Sequence, residues 1–347
     1  MLRIVHVTDA GLKPKASFQH NVGQKITNGL IRNGHFVSCF SDRDVARAQS
    51  ILGRPYGIHA TNKAFKEFCN HIEPDLLLLG HADMIWPKTI EQLRKSIPSM
   101  KIVQWTDDLM LDQGAYKRLI SKCGLVDASL VNNAGEILEG IAKNTRSQVG
   151  YLPVPVDFSL EKGKNHEKNL PFDLFCSVGK ASDTRYVCGK NWLPVDLIQH
   201  LEQYIPSLSS IFLGIRNQST LIGKKYQDAL ESANIGLNLS RRNDCYLYSS
   251  DRISHICGNG MAVLVDRATG FNDIFQEDEF AFFSTMEELV AQLKQLKNEP
   301  DYRKAIAASG RKRYHDLFNE RIIANYIIEV AFGNLNPKDY CWPTLAQ

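Results

Sequence analysis

The sequence predicts an α/β protein: two doubly wound parallel-sheet domains facing each other across a cleft. Three observations carry that expectation. Short apolar runs alternate with helix-length stretches along almost the whole chain, as in parallel strands joined by crossover helices. The alternation breaks once, over 153–170 (PVPVDFSLEKGKNHEKNL), a stretch rich in Pro, Lys, Asn and Glu with little period. A chain of 347 residues holds about two domains at roughly 150 residues each. The expected layout is a first domain over 1–152, a linker over 153–170, a second domain over 171–318, and a closing helix and tail over 319–347, with the helix packing back on the first domain.

Residues 2–8 (LRIVHVT) form an apolar run suited to a strand buried on both faces. The loop DAGLKPKASFQ follows, with Gly11 and Pro14. Val22, Ile26 and Leu30 recur every four residues and mark one helix face, which Gly34 stops. His35–Phe40 is the next strand. The unit then repeats: a helix near 60–72, Pro74 and the strand 75–80 (DLLLLG); a helix near 87–96 and the strand 101–105; a helix near 114–122 and the strand 128–133; a short helix over 135–143 and the strand QVGYLPVP, which ends at two prolines. Beyond the break come FDLFCSVG (172–179), a helix near 190–204, SSIFLG (209–214), a helix near 222–233, NIGLNLS (234–240), a helix near 250–258, MAVLVD (261–266) and FAFF (280–283). Thr285 and Glu288 form a capping box ahead of Leu289, Leu293 and Leu296. Helices near 300–316 and 319–332 close the chain.

Composition removes several function classes. The 41 basic and 38 acidic residues leave a net charge of +3, too mild to argue for nucleic acid. None of the eight cysteines pairs as C-x-x-C, so neither a zinc site nor a redox motif is expected. Buried free thiols in a reducing compartment are the economical reading. The start, MLRIVHVTD, runs straight into a strand pattern without a signal peptide, and LLLL at 76–79 is far short of the ~20 residues of a membrane helix. A cytoplasmic protein is expected, with peripheral contact at the inner face of a membrane left open.

Residues 246–266 (YLYSSDRISHICGNGMAVLVD) carry the most chemistry. Ser249, Ser250 or Asp251 caps a helix with Arg252 in its first turn. A helix start offers free N–H groups and partial positive charge, and an arginine adds a planar donor fork. Together they suit a diphosphate; a plain cap beside a surface arginine is the other reading. The helix ends at Gly258-Asn259-Gly260. That G-N-G lacks a third glycine and lies between a helix and a strand, the reverse of the dinucleotide fingerprint, so NAD is excluded.

SSDRISHICGNGMAVLVDRATGFNDIF, then QEDEFAFF, TMEELVAQLKQL and YRKAIAASGRKRYHDLF, resemble in order the C-terminal domain of GT-B-fold glycosyltransferases. The resemblance is nearest to glycosyl transferases group 1, in the spore-maturation-protein-like (CgeB-like) branch, and covers about 171–320; the first half fits in layout. It implies two Rossmann-like domains and a hexosyl transfer from a nucleotide-diphosphate sugar to a glycan, lipid or protein acceptor, in cell-surface polysaccharide or glycoconjugate synthesis. No metal and no cofactor is implied, because protein groups neutralise the leaving diphosphate. Arg252 would contact phosphate, and Gly179 would lie against the diphosphate. Lys180 and Arg185 are the candidates for further positive charge, and Ser250, His255, Asn259 and Gly260 complete the donor side. Many retaining members carry two glutamates with seven residues between them; Leu247 and His255 stand at those positions. His255 either substitutes for a ribose-binding glutamate or is a packed or capping histidine.

An inverting transfer also needs a base for the acceptor hydroxyl. His20 leads, since it lies where the first loop enters the first helix, whose positive end would keep it neutral. His81 follows the strand DLLLLG, with Asp83 two residues later, and Asp107 and Asp108 follow KIVQW. Each is a candidate base or acceptor ligand, with turn and cap roles as the alternative. Asp9 after the first strand has the same logic. Gly11, Lys13 and Asp107 make up the acceptor side. Other readings of the same scaffold are a non-catalytic sugar- or nucleotide-binding module and a sugar-nucleotide epimerase. The donor's base and sugar, the acceptor, the stereochemical outcome and the oligomeric state are not legible.

Overall fold

The computed structural model describes residues 1–9, 21–216 and 218–346. The chain divides into two compact units, one of 1–155 with 320–347 and one of 156–319.

In the first unit a parallel sheet is built from β1 (Arg3–Val7), β2 (Phe36–Phe40), β3 (Leu76–Gly80), β4 (Lys101–Thr106), β5 (Ala128–Val131) and β6 (Gln148–Tyr151), in the order β2-β1-β3-β4-β5-β6. Its helices are α1 (Val22–Arg32), α2 (Asp42–Ala48), α3 (Arg54–Ile72), α4 (Pro87–Ser96), α5 (Gln113–Cys123) and α6 (Glu136–Lys143). The unbroken run of β3 is buried along its length, as a central strand between two helix layers must be. Asn21 caps α1, its side chain accepting from Gln24 N at 2.7 Å, and Gly34 turns the chain at φ +86. Two helical features differ from the sequence reading. The seven-residue α2 has little apolar period to announce it, and α3 starts at Arg54, since its exposed first turn adds no apolar stripe.

The second unit holds β7 (Phe172–Ser177), β8 (Arg185–Val187), β9 (Lys190–Trp192), α7 (Pro194–Tyr204), β10 (Ser210–Leu213), α8 (Lys224–Leu230), β11 (Ala233–Leu237), α9 (Arg252–Gly258), β12 (Ala262–Asp266), β13 (Ala281–Phe283), α10 (Met286–Asn298) and α11 (Pro300–Phe318). Five strands form a parallel sheet in the order β10-β7-β11-β12-β13, while β8 and β9 form an antiparallel hairpin. That hairpin claims residues 190–192, so the helix expected from 190 begins at Pro194. Its turn places both Cys188 and Gly189 at positive φ, the geometry of a tight hairpin turn.

The segment expected as a linker is built into the second unit from Val156 onward. Asp157, Glu161 and Asn165 are buried there. Asn165 Nδ2 donates to Leu230 O and Ala233 O at 2.8 and 2.7 Å, and Gly163 N donates to Asn259 Oδ1 at 2.8 Å. A Pro- and Lys-rich composition concealed a local turn, in which Asp157 accepts from Ser159 and Glu161 accepts from Asp157 N, and one side chain, Asn165, whose backbone partners lie far away in sequence.

The closing helix α12 (Glu320–Phe332) returns to the first unit. Ile323, Ala324, Tyr326 and Ile327 are buried on it, and Arg32 at the end of α1 meets Glu320 at 2.7 Å. The crossing with α1 is tight because Gly29 has no side chain. A Cβ there would lie 1.9 Å from Glu320 O and 2.9 Å from Ala324 Cβ. Among the described residues no helix is long and apolar enough to cross a membrane. Gly29→Ala is expected to lower unfolding stability by about 1–3 kcal/mol, read as a shift in the urea midpoint.

Candidate functional site

In a doubly wound sheet the loops leaving the two strands on either side of the order reversal diverge and open a crevice at the carboxyl ends. In the second sheet those strands are β7 and β11. After β7 the chain passes through Gly179 and Lys180, both exposed, and a Cβ at Gly179 would meet nothing within 4 Å. After β11 it runs through 238–251 into α9.

The β8 hairpin brings Arg185 to this end. Arg185 is 3 % exposed, and its Nη1 donates to Asp183 O and Thr184 O at 2.9 and 3.0 Å. Arg252 donates from Nη2 to Leu239 O at 3.4 Å. Arg185 Nε, Arg252 Nε and Ser250 Oγ are buried with no hydrogen-bond partner among the described residues. Neither guanidinium has an ion-pair partner there. Burial first, and then the nearby charge of Arg252, push the Arg185 pKa down to about 10. Two like charges held in each other's field with donors unmet form a site that an anion would complete.

The expected cap is absent as a side-chain interaction. Asp251 is the N-cap residue of α9, but its side chain makes no capping bond. Ser249 Oγ donates instead to Asn238 Oδ1 at 3.0 Å. The seven-residue α9 is a modest source of helix field, so the cationic character of the site rests on the arginines.

The donor-side residues expected from the sequence divide into two groups. Gly179, Lys180, Arg185, Ser250 and Arg252 belong to the carboxyl-end loops, to the hairpin beside them and to the start of α9. His255, Asn259 and Gly260 serve the interior. The His255 ring is buried, with Nδ1 at 3.0 Å from the Tyr226 hydroxyl and Nε2 at 4.0 Å from the Glu161 carboxylate. It is thus a packed histidine, not an open ligand. Asn259 and Gly260 lie past the far end of α9, roughly 10 Å along its axis from Arg252. Asn259 accepts from Gly163 N and donates to His255 O at 2.8 Å. Gly260, at φ +78, leaves room for His166, whose Nδ1 would be 2.5 Å from a Cβ. Leu247, with φ +53, is buried and supplies no carboxylate.

Three first-unit candidates, Gly11, Lys13 and His20, lie outside the described residues. The others meet at the carboxyl ends of β3 and β4. His81, at φ +57, places Nε2 at 2.7 Å from Asp107 Oδ1 and Nδ1 at 3.5 Å from Asp108 Oδ2. Arg118 Nη2 donates to Asp108 Oδ2 at 3.0 Å, and its Nε is 3.4 Å from Asp83 Oδ1. Arg43 grips the other oxygen of Asp83 and stands 3.8 Å from Asp9. Burial opposes ionisation of His81, but the two carboxylates prevail and raise its pKa to about 10. The reciprocal interaction with His81 and Arg118 holds Asp108 at about 2 despite its own burial. The two carboxylates thus favour the protonated ring of His81, the opposite of what a proton acceptor needs. Its nitrogen and the oxygens of Asp107 and Asp108 lie within 4.8 Å of one another, a set that could receive a cation only after His81 lost that proton.

Beneath this network His6 is fully buried, and burial drops its pKa to about 3. Trp105 Nε1 donates to His6 Nε2 at 3.1 Å, so Nδ1 carries the proton and donates to Thr27 Oγ1 at 2.8 Å. The threonine hydroxyl passes its own proton to Gly23 O at 3.0 Å. Sequence reading missed His6, Arg43 and Arg118. The only available signal was a polar residue within an apolar strand for His6 and a position just past a strand end for Arg43.

Residues 166–329 match the family described as glycosyl transferase-like. No protein of curated function matches the chain in sequence. Among solved structures it is similar to a sucrose-phosphate synthase from Thermosynechococcus elongatus (TM-score 0.65, 12% identity, covering 96% of this chain and 99% of that one). It is also similar to Anabaena HepE in complex with UDP-glucose (TM-score 0.62, 12% identity, 96% and 100%). A third likeness is to the E. coli trehalose-6-phosphate protein bound with UDP-2-fluoro glucose (TM-score 0.57, 10% identity, 95% and 99%). The fold is GT-B.

The first unit should be sensitive to alkali. The folded-state pKa of His81 lies above its unfolded value of 6.5, so the folded protein holds this proton more tightly. The stabilisation is complete below about pH 6.5 and disappears as pH rises through about 10. Urea midpoints measured from pH 6 to pH 10 should fall more steeply for the wild type than for His81→Gln; parallel slopes would contradict the pairing.

Proposed function

We propose that the protein is a glycosyltransferase that takes a sugar from a nucleotide-diphosphate donor held by the second unit. The family match and the GT-B fold support sugar transfer. The observation that carries the donor site is the pair Arg185 and Arg252, buried or half-buried at the sheet's order reversal with both Nε groups unmet. Charge builds on the diphosphate as the glycosidic bond breaks. Fixed cationic donors aimed at that charge lower the barrier without reorganising. Arg185 and Arg252 would take the phosphate oxygens, with Ser250 and the exposed Lys180 beside them. This supports a transfer that needs no metal ion.

The acceptor's proton would go to a group on the first unit. The carboxylates beside His81 favour its protonated form, and Asp108, held near 2, is a poor base. His20 is then the residue to test first, with Asp107 as the acceptor ligand. The neighbours that carry UDP or UDP-glucose make a UDP-hexose the first donor to try. A glycan, lipid or protein acceptor in cell-surface polysaccharide or glycoconjugate synthesis, and work at the cytoplasmic side, complete the reading.

A second reading, a binding module that does not turn over, is favoured by Leu247 and the engaged His255 in place of two carboxylates. Slow release of free sugar from the donor separates the two, since a pure binder leaves the donor intact.

Thermal shift with UDP, GDP, ADP and dTDP in excess chelator tests the donor site. At least one nucleotide should raise the midpoint, and Arg252→Ala should weaken that ligand about 10- to 100-fold while leaving the unliganded midpoint near the wild type. Stabilisation by none of the four would sink the proposal.

Arg185→Met separates function from stability. Removing a buried charge whose burial and repulsion by Arg252 outweigh the pull of Asp183 relieves desolvation. The unliganded protein should melt no lower than the wild type, while diphosphate affinity falls at least tenfold. A large loss of stability together with unchanged affinity would make Arg185 a structural residue.

A further inference from the structure

On the first unit, the turn between α2 and α3 carries Ile51 and Leu52 almost wholly in solvent. Single exposed apolar residues are ordinary, but these two do not stand alone. Tyr56, in the first turn of α3, and Trp86, at the start of α4, are also exposed. Tyr56, His59, Lys63 and Lys66 follow one another at spacings of three, four and three, and so share one face of α3. Trp86 stands over His59, with ring centroids 5.8 Å apart. Between α3 and α4 runs a groove of about 270 Å³ whose charged lining is Lys63, Lys66 and Lys88, with no carboxylate. Lys63 has one acidic neighbour outside the groove, Glu67 at 4.0 Å, and Lys66 reaches Gln92 Oε1 at 3.4 Å. Arg54 adds an exposed cation beside the apolar tip.

Helix direction fixes where this face lies. A helix that leads into a parallel strand runs back along the sheet, so the N-terminus of α3 sits at the carboxyl end of β3. The N-terminus of α4 leaves from that same end. Ile51, Leu52, Tyr56 and Trp86 therefore gather at the rim that also carries His81. An apolar tip, two amphipathic aromatic rings behind it and a row of cations behind those is the layering of a bilayer interface, from acyl chain to headgroup to anionic surface. A nucleic acid would call for the cations without the fully exposed Ile-Leu pair. A protein partner would not require the cationic groove to be free of carboxylates. The broad apolar face of α12 takes no part, because it is consumed against the first unit's own core.

We infer that this rim of the first unit docks on anionic lipid bilayers, with Ile51 and Leu52 entering the acyl boundary and Lys63, Lys66 and Lys88 held over acidic headgroups. The inference stands apart from the sugar-transfer reading and is tested without turnover. The full chain is sedimented with vesicles of phosphatidylcholine alone and with vesicles containing phosphatidylglycerol. Binding is expected to the second kind only and to weaken in high salt. The double variant Ile51→Asp, Leu52→Asp and the triple variant Lys63→Glu, Lys66→Glu, Lys88→Glu should each reduce binding about tenfold or more. Lys66 is half-buried and the other residues are exposed, so both variants should keep a melting midpoint near the wild type, which is measured alongside. Failure of the wild type to sediment with anionic vesicles would overturn the inference. So would equal sedimentation of the double variant, or binding to a soluble polyanion such as heparin that competes fully and depends on the lysines but not on Ile51 and Leu52.

Discussion

The arrangement on which the proposed donor site depends is a repulsion. Arg185 and Arg252 are two cations that a folded chain would ordinarily separate or neutralise. Here they share a half-buried corner with no carboxylate ion-paired to either among the described residues, Asp183 acting on Arg185 only through its field. Their cost is met by the scaffold: the hairpin that carries Arg185 is pinned where Cys188 N donates to Asp266 Oδ2 at 2.9 Å, and Arg252 is fixed by the helix it starts. Under the proposed reading, donors held unmet in this way would favour an anion over water, because an anion would satisfy both guanidinium groups at once.

The first unit solves the opposite problem. Around His81 the charges alternate, Arg43 with Asp83, Arg118 with Asp83 and Asp108, His81 with Asp107 and Asp108. Such a network ties the ends of β3 and β4 together. The two sheets thus present different chemistry at their carboxyl ends. One offers unpaired donors and the other a compensated mesh.

Much of this was legible where the signal was local. Val22, Ile26 and Leu30 announced α1, the run at 75–80 announced β3, and Arg252 was visible as the first residue of a helix after a serine pair. Other features needed distant partners. Asp107 and Asp108 could be placed at a strand end, but their pairing with His81, 26 residues away for the 2.7 Å contact, exists only through the β3–β4 pairing. The β8–β9 hairpin escaped because its turn is Cys-Gly and not the Asn-Gly that announces such turns. Asp157, Glu161 and Asn165 looked like solvated linker residues because burial of a polar group is set by backbone partners that composition does not reveal.

The second unit is an insertion in the first. Its two ends lie side by side, with Val156 N donating to Phe318 O at 2.9 Å, while α12 is the last helix of a unit that began at residue 1. On a ribosome the inserted unit can be complete before α12 has emerged, whereas α1 has Gly29 uncovered until Glu320–Phe332 has followed. The order of synthesis is therefore not the order of folding, and the interval in which α1 stands exposed is the point at which a nascent chain would most need a chaperone.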